Sequence, residues 1–312
     1  MKILFAASEA YPIIKTGGLG DIVYSLPRAL KHENADVRVI LPAYRAVLEQ
    51  MDQIRVAGWL ELPGVEKTHN IRILETNSQH LGVPLLLVDV ADLFDRPGNP
   101  YVHPDGYNWH DNAERFAVFS RAVAQLSVNN KILDWQPDIV HCHDWQTGLI
   151  PACLSQLEYA PKSVFTIHNL SYAGIFSHED FVRLNLNKDW WSSHAMEFFG
   201  NFSMLKSGLI FADQLTTVSP TYAEEIRTPG QGYGFDGILR SNSHKLSGIL
   251  NGIDEEVWNP QTDSFLPHHY SADKNYVSGK RKNKEVLLND VGALNAADML
   301  EKPLLGLIGR LV

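Results

Sequence analysis

Cysteine is scarce in this chain: 312 residues contain only two, Cys142 and Cys153, both in otherwise apolar stretches. That excludes a disulfide-stapled fold and a cysteine-based zinc site, and the expected setting is reducing and cytoplasmic. Long hydrophobic runs are missing as well. The N-terminal apolar run, Ile3 to Ala7, is cut short by Glu9 and cannot serve as the core of a signal peptide. No stretch approaches the ~20 apolar residues of a membrane span, so no membrane partner is expected. Positive charge is in deficit, with 27 Lys and Arg against 36 Asp and Glu and a net charge of −9. Such a balance disfavours nucleic acid and leaves any bound phosphate to a local cluster of donors, whereas a neutral partner such as a carbohydrate suits it better.

What is present is an ordinary globular composition, 45% hydrophobic and 20% charged, at a length that predicts two domains. Apolar segments that read as strands recur with helical patterns between them: Lys2–Ala7, Val37–Leu41, Leu85–Val90, Ile139–His141, Ser163–Ile167, Leu215–Val218 and Leu246–Leu250. Phe116, Phe119, Val123 and Leu126 mark one helix face, Leu149, Ile150, Cys153, Leu154 and Leu157 a second, and Phe202, Leu205, Leu209 and Ile210 a third. The alternation predicts an α/β fold with a parallel sheet.

Between the first strand and the first helical pattern lies Lys15-Thr16-Gly17-Gly18-Leu19-Gly20-Asp21. Glycines at such a junction let the backbone approach a ligand, and the free N–H groups at a helix start favour an anion. Lys15 adds an ammonium beside them. The lysine precedes the glycines, unlike a Walker A loop, and the spacing alone fits a glycine-rich surface turn with a solvated lysine equally well.

Ligands of open parallel sheets bind beyond the carboxyl ends of the strands, so the residues that follow each apolar run carry the chemistry. Here they are Ser8-Glu9 and the glycine loop, Asp95 to Tyr101, His141-Cys142-His143-Asp144-Trp145, His168-Asn169, and Asn251-Gly252-Ile253-Asp254. Aromatic rings together with hydrogen-bonding groups at one rim suit a sugar, with Trp145, Tyr101 and Tyr172 as the rings. Simpler roles compete. Trp109, Trp190 and Trp191 fit packing better than a groove, Asp144 suits a helix cap near Thr147, and Asn251-Gly252 suits a turn. His141 and His143 share a strand face as metal ligands would, but no third ligand accompanies them and a place at the core edge is favoured.

Taken together, Lys15–Asp21, Asp95–Tyr101, His141–Trp145, Phe165–Asn169, Thr217-Val218-Ser219-Pro220-Thr221-Tyr222 and Asn251–Asp254 with Trp258-Asn259-Pro260 resemble, in order and spacing, the bacterial glycogen synthases and plant starch synthases that use ADP-glucose. The resemblance implies a GT-B fold of two Rossmann-like domains and a retaining transfer of glucose from ADP-glucose to the non-reducing end of an α-1,4-glucan (glycogen or a maltooligosaccharide). No metal and no cofactor are implied. By that pattern Lys15, Gly17 and Gly18 lie against the donor diphosphate and Asp21 fixes their loop. His168 lies beside the transferred glucose with Asn169 nearby, while Asn251 and Arg310 approach the sugar or diphosphate. Glu9, Tyr101, Asp144 and Trp145 face the glucosyl or acceptor pocket, with His168, Asp144 and Lys15 as the catalytic set.

One departure from the pattern concerns length. The final Leu307-Ile308-Gly309-Arg310-Leu311 resembles the first strand of the second domain, so the expected division is a complete N-terminal domain over 1–248 and, over 249–312, an interdomain segment with only the beginning of a nucleotide-binding domain. The basic run Lys280–Glu285 there reads as a solvated helix face. Alternative expectations are a non-catalytic α-glucan-binding module and another GT-B transferase that uses UDP-glucose.

Overall fold

The computed structural model describes residues 1–77, 81–293 and 296–308. They form two compact units, Met1–Asn251 and Gly252–Val312.

The first unit is built on one nine-stranded sheet. Its strands are β1 (Lys2–Ala6), β2 (Asp36–Pro42), β3 (Arg55–Pro63), β4 (Thr68–Asn77), β5 (Pro84–Asp89), β6 (Ile139–His143), β7 (Lys162–Ile167), β11 (Gln214–Thr217) and β12 (Leu246–Gly248). Three short segments, β8 (Ile175–Phe176), β9 (Glu197–Phe198) and β10 (Asn201–Ser203), make a separate small antiparallel sheet. The large sheet runs β12-β11-β7-β6-β1-β2-β5-β4-β3. All pairings from β12 to β5 are parallel, and each of the seven strands foreseen between Lys2 and Leu250 lies among them. Strands β4 and β3 extend the sheet antiparallel and were not foreseen.

The central strands are apolar on both faces because helices cover both. Phe5 pairs with His141 on one side and Val39 on the other, and Ile3 to Ala6, Val39 to Leu41 and Leu85 to Val88 are buried. The Gly18–His32 helix follows β1 and buries Leu19, Val23 and Pro27. The Asn112–Val128 helix is buried nearly all round, as expected of one wedged between the sheet and a second apolar cluster. Phe116, Phe181, Trp190, Phe202 and Met204 belong to that second cluster. Trp190 accordingly packs inside, and Trp191 lies against His178 and Phe181.

In the second unit, the Asp254 carboxylate accepts the N–H groups of Glu256 and Val257 at 3.0 and 3.1 Å, opening a turn. The Tyr276–Asp290 helix carries the Lys280–Glu285 run and buries only Gly279 and Leu288. Gly279 rests against Tyr270, where an added Cβ would come within 2.4 Å. Lys284 donates to the Leu300 carbonyl at 2.8 Å. Of the strand expected at the chain end, Leu307 and Ile308 are fully exposed and unpaired. Gly309 and Arg310 lie outside the described residues.

Candidate active site

The carboxyl ends of β1, β6 and β7 adjoin in the sheet, so the polar residues that follow them share one rim. Glu9 is the pivot of its first part. It is 3% exposed, and both of its oxygens are occupied. Oε1 accepts the Thr16 hydroxyl at 2.6 Å and the Tyr101 hydroxyl at 2.5 Å, while Oε2 accepts the backbone N–H groups of Thr16 and, at 3.2 Å, Gly17. A carboxylate has about four acceptor positions, and here the protein fills them. Since the Tyr101 proton goes to Glu9, Ser8 donates its own to the Tyr101 oxygen at 2.7 Å. Burial, then the Glu9 charge, raises the Tyr101 pKa well above the ordinary phenolic value and keeps it a donor.

This clamp fixes the start of the glycine loop. Gly17 and Gly18 leave open space where a side chain would stand, and the Gly18–His32 helix begins there with no side-chain cap, so its first N–H groups stay available. Lys15 Nζ pairs with Asp21 Oδ1 at 2.7 Å and stands 5.3 Å from the Tyr11 ring. At 40% and 51% side-chain exposure the pair contributes little to stability, and its ammonium stays accessible.

Tyr101 reaches Glu9 because Arg115 holds its loop. This guanidinium is 1% exposed and donates to the carbonyls of Leu93 at 2.7 Å and Pro100 at 2.8 Å, and to Asn112 Oδ1 at 2.7 Å. Asn112 Nδ2 in turn donates to the Tyr101 carbonyl at 3.0 Å. Sequence reasoning passed over Arg115, although a charged residue directly preceding the apolar run Phe116–Phe119 was the available signal.

The second part of the rim joins β6 to β7. Asp144 has φ 56° and ψ −177°, a conformation usually left to glycine. Its side chain does not cap the turn that follows. Instead Oδ1 accepts the His168 N–H at 2.8 Å, and the Asn169 N–H also bonds to this carboxylate. Burial drives the Asp144 pKa up to about 7 against the pull of those two N–H groups, with the Glu9 charge adding to the rise. His168 Nε2 lies 2.9 Å from His143 Nδ1. Burial lowers the His168 pKa to about 4, so its imidazole is neutral at neutral pH. The Asn169 Oδ1 folds back onto Ser171, accepting its N–H at 3.0 Å and its hydroxyl at 2.7 Å.

Trp145 is half-buried, its ring 4.9 Å from Phe116, 5.8 Å from Phe176 and 6.3 Å from Tyr101. It lies against Gly174, whose φ of 55° and whose contact with the indole leave no room for a side chain. Tyr172 is the more open ring, 53% exposed. Asn251 is exposed, and Arg310 lies outside the described residues. Among the described residues no cluster of three or more His, Cys, Asp or Glu could hold a metal ion. His141 instead meets Thr166 Oγ1 at 2.7 Å.

A doubly wound sheet with a glycine loop after β1 and a carboxylate–imidazole pair after β6 and β7 defines a GT-B-type domain. Residues 2–241 match the model of the starch synthase catalytic domain, and the chain belongs to that family. It is 48% identical over its whole length to a glycogen synthase of Hydrogenovibrio crunogenus, covering 64% of that protein. It is 49% identical to glycogen synthase 2 of Nitrosococcus oceani, covering 62% of it. The catalytic domain of starch synthase IV from Arabidopsis thaliana, bound to ADP and acarbose, superposes with a TM-score of 0.77 at 31% identity, over 95% of this chain and 60% of that one. The chain thus spans a little under two thirds of the length of these relatives.

Proposed function

We propose that this chain carries the acceptor side and the diphosphate loop of a glycogen (starch) synthase, which transfers glucose from ADP-glucose to the non-reducing end of an α-1,4-glucan with retention of configuration. The observation that carries this reading is the shared rim: a clamped glycine loop with an accessible cation beside a neutral imidazole and a partly protonated carboxyl. Whole-length identity to glycogen synthases and the ADP and acarbose bound by the starch synthase IV domain support it.

In this reading the bond between the anomeric carbon and the phosphate oxygen breaks as the acceptor 4-hydroxyl bonds to the same face, and the acceptor proton passes to the departing phosphate. Negative charge grows on the diphosphate, so Lys15 and the free N–H at Gly18 stabilise the transition state more than the ground state, while Gly17, its N–H held by Glu9, leaves the backbone open to the diphosphate. Asp21 holds Lys15 in register. Glu9, with its acceptor positions filled, acts by shaping the loop and orienting Tyr101 toward the glucosyl pocket. His168 offers a sugar hydroxyl a neutral imidazole, Asp144 fixes the His168 and Asn169 backbone, and Trp145 supplies an apolar wall. Asn251 and Arg310 complete the donor side, a role that rests on the sequence pattern. No metal or cofactor takes part. The domain assignment, 1–248 for the catalytic N-terminal part and 249–312 for the crossing into a nucleotide-binding domain, belongs to the same reading, as does a cytoplasmic location. No described helix is long and apolar enough to cross a membrane.

The test is transfer of labelled glucose to glycogen. Where the chain is joined to the remaining third of the H. crunogenus relative, Lys15→Ala should lower catalytic efficiency about 10- to 100-fold through loss of a charge-assisted bond of roughly 1.5 to 3 kcal/mol. Unchanged efficiency would remove Lys15 from the donor site. UDP-glucose run in parallel distinguishes the UDP-dependent alternative, and glucan binding without transfer would favour the binding-module alternative.

A further inference from the structure

His143 has no part in the reading above, yet it is a buried imidazole with one nitrogen left without a partner. It is fully buried on β6, stacked on Phe5 at 4.1 Å, with His141 4.2 Å away on the same strand. Its Nδ1 meets His168 Nε2 at 2.9 Å, and its Nε2 is buried without a partner. On His168 the other nitrogen, Nδ1, is neither buried without a partner nor engaged by any described residue.

Two neutral imidazoles sharing one hydrogen bond have two arrangements. If His168 donates from Nε2, the His143 proton sits on Nε2 and leaves a buried N–H orphaned. If His143 donates from Nδ1, its Nε2 is a bare acceptor, and the His168 proton must sit on Nδ1. Orphaned buried N–H groups are rarer in folded proteins than under-used acceptors, which selects the second arrangement. We infer that His143 is a positioning residue that fixes His168 in its Nδ1–H tautomer, so that the open nitrogen is a hydrogen-bond donor to a hydroxyl oxygen of a bound sugar. Both imidazoles stay neutral at neutral pH because burial disfavours their charged forms and neighbouring imidazoles add to the effect at His143. Asp144 holds the His168 backbone, and no described side chain other than His143 bonds to the ring. The ligand class assigned to the open nitrogen rests on the transferase reading, whereas the tautomer does not.

Long-range 1H–15N correlation spectra of the 312-residue chain report the protonated nitrogen of each histidine, and His168→Gln identifies the His168 signals. The wild-type chain should show His168 Nδ1 protonated and Nε2 bare. His143→Phe should move His168 to the Nε2–H form that free neutral histidine prefers, while His143→Asn, whose amide can donate from the Nδ1 position, should keep the wild-type form. A protonated His168 Nε2 in the wild type would overturn the inference, as would a folded His143→Phe chain with an unchanged tautomer. Should His143→Phe not fold, His143→Gln, whose amide reaches the Nε2 position instead, takes its place with the same expected switch. A wild-type tautomer as inferred, with no glucosyl transfer in the joined protein, would count against the transferase and leave the tautomer lock standing.

Discussion

Asp144 combines a strained backbone with a half-buried carboxyl of raised pKa, and each has a measurable consequence. Its φ and ψ cost any side chain about 1 to 3 kcal/mol, while glycine loses about 1 kcal/mol through the greater freedom of the unfolded chain. Asp144→Gly and Asp144→Ala both lose the acceptor for His168 and Asn169, so urea unfolding should find the glycine variant more stable than the alanine variant by up to about 2 kcal/mol. An alanine variant more stable than the glycine variant by about 1 kcal/mol would mean that the backbone is unstrained. The pH dependence follows from the raised pKa of about 7. Between the ordinary carboxylate value near 4 and about 7 the native state holds a proton that the unfolded chain has released, so this group's contribution falls as pH rises through that window. Asp144→Asn cannot ionise, and its stability relative to wild type should rise by on the order of 1 to 3 kcal/mol from pH 4.5 to pH 7.5. A difference that does not change with pH would place the Asp144 pKa near its usual value. The charges around it, Glu9 and the neutral imidazoles of His168 and His143, are common to both proteins and cancel to first order.

Among the elements, the turn at Trp145–Thr147 and the Met204–Phe211 helix meet at Gly148, where an added Cβ would stand 1.9 Å from the Met204 carbonyl oxygen. Gly148→Ala should therefore lower stability by about 1 to 3 kcal/mol or more, read as a lower urea midpoint, and an unchanged midpoint would contradict the packing. The glycine loop makes a different prediction. Glu9→Gln leaves an amide where four donors converge, so amide exchange at Thr16 and Gly17 should quicken while that of β1 is unchanged. Exchange left as slow as in the wild type would mean that Glu9 does not hold the loop.

These elements also mark how far the sequence could be read. The parallel strands were legible because burial on both faces leaves unbroken apolar runs, and the strand exits pointed to the rim because every parallel strand presents its carboxyl end on the same side. Strand β4 alternates from His69 through Ile71 to Ile73, but its charged and polar alternates hid it among loops, and β3 is half-exposed and interrupted by Gly58 where the ladder shifts register. Within the rim, the residue types were legible and their partners were not. Glu9 as a clamp depends on Tyr101, 92 positions away, and the His143–His168 contact spans two strands. Such pairings come from sheet order, which no local pattern contains.

At the scale of the molecule, the first unit has a continuous core and the second buries little of its own. The family membership is carried by the first unit, since residues 2–241 match the catalytic-domain model. On the proposed function the first unit contributes a working half-site, with loop, cation, imidazole and carboxyl already in place. The measurement that bears on this most directly is transfer of labelled glucose from ADP-glucose to glycogen by the chain joined to the remaining third of its 48% identical relative, with Lys15→Ala alongside. Incorporation that depends on Lys15 is expected. A folded joined protein that transfers nothing, or transfers equally well without Lys15, would contradict the proposed function.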